Sequence, residues 1–228
     1  MRTFDIILQR WRSRIAQPWV PAGANVLDIG CLQGEFLSCL GDRIRSGIGL
    51  DPSAQPYETP RYRVLSERFQ EPAPFPDASF DAVVMLATLE HILDKEPLAR
   101  ECHRLLRPGG RVIVTVPSPT VDIIMAALIR CRIADGTALD EHHGFMPQAV
   151  VPLFRDRGFV LEKWRRFQLG LNHLFVFRKP GADSLVRGSR SPARGPHART
   201  TRFVTKSAVE RLGLALLGSC FSRYYQHG

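Results

Sequence analysis

Short apolar runs alternate with helical segments along residues 1–180 of the chain. Residues 80–86 (FDAVVML) and 111–116 (RVIVTV) consist mainly of apolar, often β-branched residues, and residues 25–29 form a similar run. Such runs are typical of strands that are buried on both faces. The spacing of apolar residues also predicts helices, which lie over 4–15, over 34–40, and between residue 86 and about residue 106. The pattern therefore predicts an α/β fold, with a mostly parallel sheet and helices on both faces.

The pattern changes after residue 117. An apolar helix, a polar loop and a second helix are predicted over 120–136, 140–146 and 147–157, and Gly158 is expected to end the second helix. Two strands then face each other across the tripeptide QLG, over 160–167 and 172–178. This arrangement predicts an antiparallel hairpin that closes the sheet.

The C-terminal part of the chain differs in composition from the rest. The whole protein has 228 residues and a net charge of +9, and residues 181–206 contain six Lys or Arg against one acid. Few large apolar residues lie among these charges, so we expect a folded domain over 1–180, a disordered basic linker over 181–206, and a tail over 207–228 that contains a short amphipathic helix. For that tail, docking or disorder is favoured over contact with a membrane. No aromatic residue is interleaved with the arginines before Phe203, so nucleic acid is disfavoured as a partner.

Cysteine usage and hydropathy point to a cytoplasmic protein. The five cysteines are scattered and form no CxxC pair, which favours reduced thiols over disulfides or zinc ligands. The N-terminal residues alternate charged and apolar side chains, so no signal peptide is expected. The longest apolar run, at 123–129, is far too short to span a membrane.

The segment VLDIGCLQGEF (26–36) joins a predicted strand to a predicted helix through two glycines, Gly30 and Gly34. Such a turn lies at the carboxyl end of a parallel strand, where α/β folds bind their ligands. Asp51 ends the next predicted strand, and an acid there can accept hydrogen bonds from ribose hydroxyls. Leu32 replaces the second glycine of the dinucleotide fingerprint, and Glu35 would repel a phosphate at the helix start. These residues favour an adenosine ligand that carries positive charge and no phosphate.

Four successive motifs of the chain resemble those of the class I S-adenosylmethionine-dependent methyltransferases. They are VLDIGCLQGEF, GIGLDPS, APFPDASFDAVVMLATLEHI and LLRPGGRVIVTVPSP. The resemblance covers about residues 20–180, and it implies a Rossmann-like, seven-stranded sheet with an antiparallel last strand and S-adenosyl-L-methionine as the cofactor. The glycine turn and the acid before it would hold the methionine end, the second acid the ribose, and the end of strand 80–86 the sulfonium side. The residues that the resemblance places at the cofactor are Asp28, Gly30, Cys31, Gly34, Asp51 and Leu86.

The chain departs from this family pattern at two places. Leu32 stands where the usual turn has its middle glycine. Many members also have an acid before the PF segment, which binds the adenine amine, whereas this chain has Arg68 or Phe69 there. Glu67 or the backbone could make that contact instead, and the alternatives stay open.

Three histidines are candidates for a catalytic base. They are His91 in LEHI, and His142 and His143 in DEHHGF. Methyl transfer depends mainly on alignment of the acceptor with the methyl carbon. An oxygen acceptor would benefit from a base, whereas a carboxylate acceptor would not. The cluster of residues 140–143 is a poor metal site, because four adjacent residues cannot all point at one ion. No metal is expected.

These observations predict a methyltransferase that acts on a small-molecule or lipid-linked acceptor. The alternative is a catalytically inactive, methyltransferase-like binding protein or partner subunit, which the two departures from the family pattern would fit. Amino methylation of nucleic-acid bases is disfavoured, because no Asn-Pro-Pro-Tyr motif follows residues 80–86.

Overall fold

A computed structural model of the chain describes residues 3–118 and 146–181. Its strands are β1 (Ala24–Ile29), β2 (Ile44–Leu50), β3 (Tyr57–Glu58), β4 (Tyr62–Leu65), β5 (Phe80–Leu86), β6 (Leu106–Pro117), β7 (Val160–Phe167) and β8 (Asn172–Arg178). Its α-helices are α1 (Thr3–Ala16), α2 (Glu35–Leu40), α3 (Lys95–Leu105) and α4 (Val150–Arg155). These elements confirm the predicted helix over 4–15, the strand over 80–86 and the C-terminal hairpin.

All eight strands form one sheet in the order β3-β4-β2-β1-β5-β6-β8-β7. The pairs from β4 through β6 are parallel, whereas β8 runs antiparallel to both β6 and β7. The predicted α/β fold and its antiparallel last strand are thus confirmed. The two-residue strand β3 adds an eighth strand at one edge, antiparallel to β4.

The register of β1 brings the carboxyl ends of the central strands together. Leu27 lies opposite Ile48 of β2 on one side and opposite Val83 of β5 on the other. Because all three strands are parallel, the loops that follow them meet at one edge of the sheet. This edge is where α/β folds bind ligands.

Helices cover both faces of the sheet. Alternate residues of β5 point to opposite sides, so Val83 packs in a cluster with residues of α3 and α4, whereas Val84 packs with residues of α1 and α2. Both faces are therefore dry, which explains the nearly continuous apolar sequence of the central strands.

The helix expected directly after β5 begins later than predicted. Residues Leu89–His91 form a short 3₁₀ turn, and α3 starts only at Lys95. Pro97 lies in the first turn of α3, where its missing N–H needs no partner, and an earlier start would place it in the helix interior. The helix ends at Leu105, and Leu106 already belongs to β6.

A buried clasp fixes the loop that precedes β5. The Glu101 carboxylate accepts a hydrogen bond from the Ala73 N–H at 2.7 Å. Arg104 donates to the Phe75 and Ala73 carbonyls at 2.9 and 3.1 Å, and it pairs with both Glu101 and Asp77. Its hydrogen bonds hold the pKa of Glu101 below the usual value. The clasp ties the loop to α3 although the partners lie about 30 residues apart in sequence.

Several predicted features lie outside the described residues. They are the helix over 120–136, His142 and His143, nearly all of the linker over 181–206, and the tail over 207–228. They stay predictions. Among the described residues, no helix combines the length and the apolar character needed to cross a membrane.

Candidate functional site

A cleft opens at the carboxyl edge of the sheet, with a volume of about 370 Å³ including its mouth. Its walls are one side of α1, the end of β1, the glycine turn that follows, and Leu86 at the end of β5. Asp28, Gly30, Cys31 and Leu86, which the sequence placed at one site, therefore do share one cleft.

The two glycines of the turn are required by close neighbours as well as by backbone geometry. Gly30 and Gly34 have φ values of +74° and +79°. A Cβ on Gly30 would lie 2.3 Å from Oγ1 of Thr88, and one on Gly34 would lie 2.7 Å from a methyl group of Val64. Thr88 was not predicted from the sequence, because it follows β5 and meets the turn only through the pairing of β1 with β5.

Leu32 adopts the left-handed backbone that glycine usually supplies. Its φ is +50°, and its side chain is 41% exposed at the cleft. The Leu32 N–H donates a hydrogen bond to Oδ2 of Asp51 at 3.0 Å. The turn thus keeps its shape although a Cβ is present, and Asp51 helps to hold it.

The Asp51 side chain is buried and accepts three hydrogen bonds within the protein. Its Oδ1 accepts from the N–H and the hydroxyl of Ser53 at 2.8 and 2.6 Å, and its Oδ2 accepts from Leu32. A carboxylate offers about four acceptor positions, so roughly one remains. That capacity suits one ligand hydroxyl at the end of β2.

Asp28 is a buried acid with an unsatisfied oxygen. It is only 2% exposed, and its Oδ2 has no hydrogen-bond partner among the described residues. Burial, and then the nearby charges of Glu35 and Asp51, raise its pKa to about 8. An unpartnered buried acceptor is costly, so this position suits a ligand that brings a positive charge and donors.

Cys31 contributes its backbone and its volume rather than a reactive thiol. Burial, together with the charges of Asp28 and Asp51, raises its pKa to about 12. The Cys31 carbonyl accepts a hydrogen bond from the Gly34 N–H at 2.8 Å, which closes the turn. Because the thiol stays protonated, it is a poor nucleophile.

The buried side of α1 supplies polar residues that the sequence analysis missed. Gln9, Arg12 and Ser13 all line the cleft. The amphipathic pattern predicted the helix, but it did not show what this side of the helix would contact. The cleft therefore carries a cation on α1 and an acidic side chain at Asp28. It suits a ligand with both an anionic and a cationic group, because a bound cation lowers the pKa of a neighbouring carboxyl group.

A second buried acid lies close to this cation. Glu90, in the turn after β5, is 3% exposed and its Oε2 has no hydrogen-bond partner among the described residues. Burial raises its pKa to about 7, and the positive charges of Arg12 and Lys95 partly oppose that rise. The residue predicted from the sequence was its neighbour His91, which is exposed and is not part of the cleft wall.

No metal site accompanies this cleft in the described ranges. Within 3–118 and 146–181, no three His, Cys, Asp or Glu side chains are grouped so that they could hold an ion. The remaining base candidates, His142 and His143, fall in the part of the chain that is not described.

Comparison with known sequences gives consistent matches over the N-terminal two thirds of the chain. A family model for a methyltransferase domain matches residues 4–163. An S-adenosylmethionine-dependent methyltransferase of Mycolicibacterium smegmatis is 35% identical over 121 residues, which are 51% of this chain and 45% of that protein. The ubiquinone biosynthesis O-methyltransferase of Pseudomonas aeruginosa is 35% identical over 106 residues, 41% of this chain and 44% of that protein. The matches thus span less than half the length of these relatives.

Solved structures show the same fold at lower identity. The methyltransferase bound to the Trm112 methyltransferase activator of Haloferax volcanii superposes with a TM-score of 0.60. Its sequence identity is 20%, and the match covers 75% of this chain and 91% of that one. At this identity the likeness establishes the arrangement of the sheet and helices, and nothing about substrates.

Proposed function

The chain belongs to the class I S-adenosylmethionine-dependent methyltransferase family, and we propose that it transfers a methyl group from S-adenosyl-L-methionine to a small-molecule or lipid-linked acceptor. The observation that carries the proposal is the unpartnered Oδ2 of Asp28 in the same cleft as Arg12. The methionine end of the cofactor carries an ammonium, which suits the unpartnered oxygen of Asp28, and a carboxylate, which suits the positive charge of Arg12.

The glycine turn and the acid at the end of β2 suit the rest of the cofactor, although Gly34 and Asp51 do not themselves line the cleft. Asp51 has one acceptor position left for a ribose hydroxyl, and Gly30, Cys31 and Gly34 shape the turn beside it. Leu86 provides an apolar wall at the end of β5, where the sulfonium side is expected. Where an adenine contact was expected, Glu67 and Arg68 are exposed and Phe69 packs against the core.

The chemistry asks mainly for alignment. The bound cofactor supplies a methyl carbon that is already activated by positively charged sulfur. The protein must hold the acceptor in line with that carbon and exclude water, and such positioning can supply much of the acceleration. His91, His142 and His143 remain candidates for the base that an oxygen acceptor would need.

A small-molecule acceptor is favoured by the relatives. One of them is named as an O-methyltransferase of ubiquinone biosynthesis, which supports an oxygen atom as the acceptor. The match covers 44% of that protein, so the acceptor itself is part of the proposal.

Calorimetry with S-adenosylhomocysteine tests the cofactor part of the proposal. The native chain should bind, and Asp28→Asn should bind roughly 10- to 100-fold more weakly, because a charged hydrogen bond contributes about 1.5–3 kcal/mol. Asp156→Asn removes an exposed charge outside the cleft and should bind as the native chain does. No binding to the native chain at about 1 mM ligand would refute the proposal.

A second pair of variants isolates the ribose contact. Asp51→Ala removes the acceptor, whereas Ser53→Ala removes one hydrogen bond to Asp51 and leaves its carboxylate in place. We expect Asp51→Ala to lower the affinity by about 1–3 kcal/mol and Ser53→Ala to have a smaller effect. Equal losses in the two variants would indicate that Asp51 acts only by holding the turn.

Transfer itself is tested with methyl-labelled S-adenosyl-L-methionine and extracts of small molecules and lipids. A labelled product that is lost in Asp28→Asn supports the enzyme. Binding of S-adenosylhomocysteine without any labelled product would instead support the alternative, an inactive binding protein or partner subunit.

A further inference from the structure

The outer side of α1 carries bulky apolar residues between arginines. Ile7 and Trp11 are 55% and 42% exposed, and they lie one helical turn apart. Arg10 and Arg14 are also exposed and flank them on the same side of the helix. The opposite side of α1, with Arg12 and Ser13, faces the cleft and the core. One side of α1 thus packs against the protein, whereas the side that faces solvent carries large apolar residues as well as arginines.

The turn between β7 and β8 extends this surface. The Gln168 amide donates to the Leu8 carbonyl of α1 at 2.9 Å, which holds the turn against the helix. The next residue, Leu169, is 94% exposed. This turn therefore places an almost fully exposed leucine next to α1.

Strand β7 adds positive charge on the same side. Arg165 lies opposite Leu174 of β8, and Leu174 is buried in the cluster that also contains Ala16 of α1. Arg165 therefore projects from the face of the sheet that α1 covers, and it is exposed. We name the resulting surface the α1 patch, and it consists of Ile7, Arg10, Trp11, Arg14, Arg165 and Leu169.

The charge around the α1 patch is mainly positive. Residues 5–22 contain three arginines and one acid, and residues 162–174 contain one lysine, two arginines and one acid. The second acid, Glu162, pairs with Arg111 and Arg178. Large apolar side chains within a mainly basic surface match an anionic lipid interface, where Trp and Leu enter the headgroup region and arginines meet phosphates. A nucleic acid would use the arginines but would leave Ile7 and Leu169 in water.

We propose that the α1 patch binds the surface of an anionic lipid bilayer. This inference goes beyond the proposed function and does not depend on cofactor binding. It differs from the disfavoured membrane contact of the C-terminal tail, because it rests on α1 and on the β7–β8 turn. Since the other side of α1 lines the cleft, bilayer contact would place that cleft close to the membrane surface.

Sedimentation of the full chain with lipid vesicles, without cofactor, tests the proposal. Vesicles of equal parts phosphatidylglycerol and phosphatidylcholine should bind the chain, and vesicles of pure phosphatidylcholine should bind it much more weakly. Arg10→Gln with Arg14→Gln should lower the partition coefficient roughly 30-fold, since each basic residue near the surface contributes about fivefold.

The control removes the same charge elsewhere. Arg45→Gln with Arg155→Gln changes two exposed arginines outside the α1 patch and should leave the partition coefficient within about twofold, because charges far from the surface are screened. An equal loss in both double variants would mean that net charge alone, including the basic residues of 181–206, drives binding, and would overturn the proposal.

A second pair tests the apolar contribution without changing charge. Leu169→Ser should weaken binding to anionic vesicles, whereas Leu93→Ser, another highly exposed leucine outside the α1 patch, should not. Thermal melting of each variant checks that the fold is kept. Unchanged vesicle binding in Leu169→Ser and in the Arg10 and Arg14 double variant would refute the lipid assignment. If these variants lost RNA binding or self-association instead, the α1 patch would belong to that partner.

Discussion

The backbone at Leu32 permits a sharp test of the glycine turn. Leu32 has a φ of +50°, a left-handed conformation that costs an L-residue about 1–2 kcal/mol. Glycine would remove that cost, but it makes the unfolded chain more flexible, which offsets about 0.5–1 kcal/mol. Leu32 is only 41% exposed, so either Gly or Ala would also lose part of the leucine's contacts. Comparing Gly with Ala at this position therefore isolates the backbone effect.

We expect Leu32→Gly to be more stable than Leu32→Ala by about 0.5–1 kcal/mol, from the difference between strain relief and chain entropy. Arg100 in α3 is the matched control, because it is exposed in a helix interior. There Arg100→Gly should be less stable than Arg100→Ala by about 1 kcal/mol. The order of the Gly and Ala variants should thus reverse between the two positions.

Urea unfolding at equilibrium measures all four variants, and the midpoints are compared at a common slope. A value of 1 kcal/mol corresponds to a shift of about 2–4 °C in the melting temperature of a domain of this size. If Leu32→Ala proved as stable as Leu32→Gly, the left-handed geometry at this position would be refuted.

Three further predictions concern stability. The free energy of unfolding of the native chain should fall relative to that of Asp28→Asn as pH rises from about 4 to about 8, because the raised pKa of Asp28 favours its protonated form in the fold. If urea unfolding gave the two chains the same dependence of this free energy on pH, the raised pKa would be contradicted. Arg104→Met should destabilise the fold by about 3–5 kcal/mol, since it leaves the buried Glu101 carboxylate without its ion pair. Arg107→Met removes a more exposed ion pair and should destabilise the fold by about 1 kcal/mol, so similar losses of the two variants in urea unfolding would argue against the clasp. Gly30→Ala should lower the melting temperature far more than Gly23→Ala, because both glycines have a positive φ but, of the two, only Gly30 has atoms within 4 Å of the new Cβ. Equal shifts in melting temperature would show that the neighbours of Gly30 move aside without cost.

The sequence by itself determined the long buried strands, the closing hairpin and the position of the ligand edge. Apolar runs such as 80–86 are local signals, because a strand buried on both faces has no polar positions to interrupt it. The tripeptide QLG marked the hairpin, and the segment 26–36 marked the turn that follows β1. The acid at the end of β2 was found in the same way, since parallel strands end at one edge.

Local sequence patterns did not predict where α3 begins or that Glu90 is buried. The helix after β5 was expected too early, because Pro97 fits only the first turn of α3 and the periodicity of the neighbouring residues does not show that limit. Glu90 was passed over beside His91, since a single sequence does not distinguish a buried acid from an exposed one.

Only the tertiary structure decided which side chains meet in the cleft. Arg12 and Asp28 line one cleft because α1 packs on one face of the sheet, and Thr88 meets Gly30 because β5 pairs with β1. These contacts join residues that lie far apart in sequence. Strand register and helix packing decide which residues meet, and both depend on the whole core. Periodicity in the sequence indicates only whether a residue faces the core.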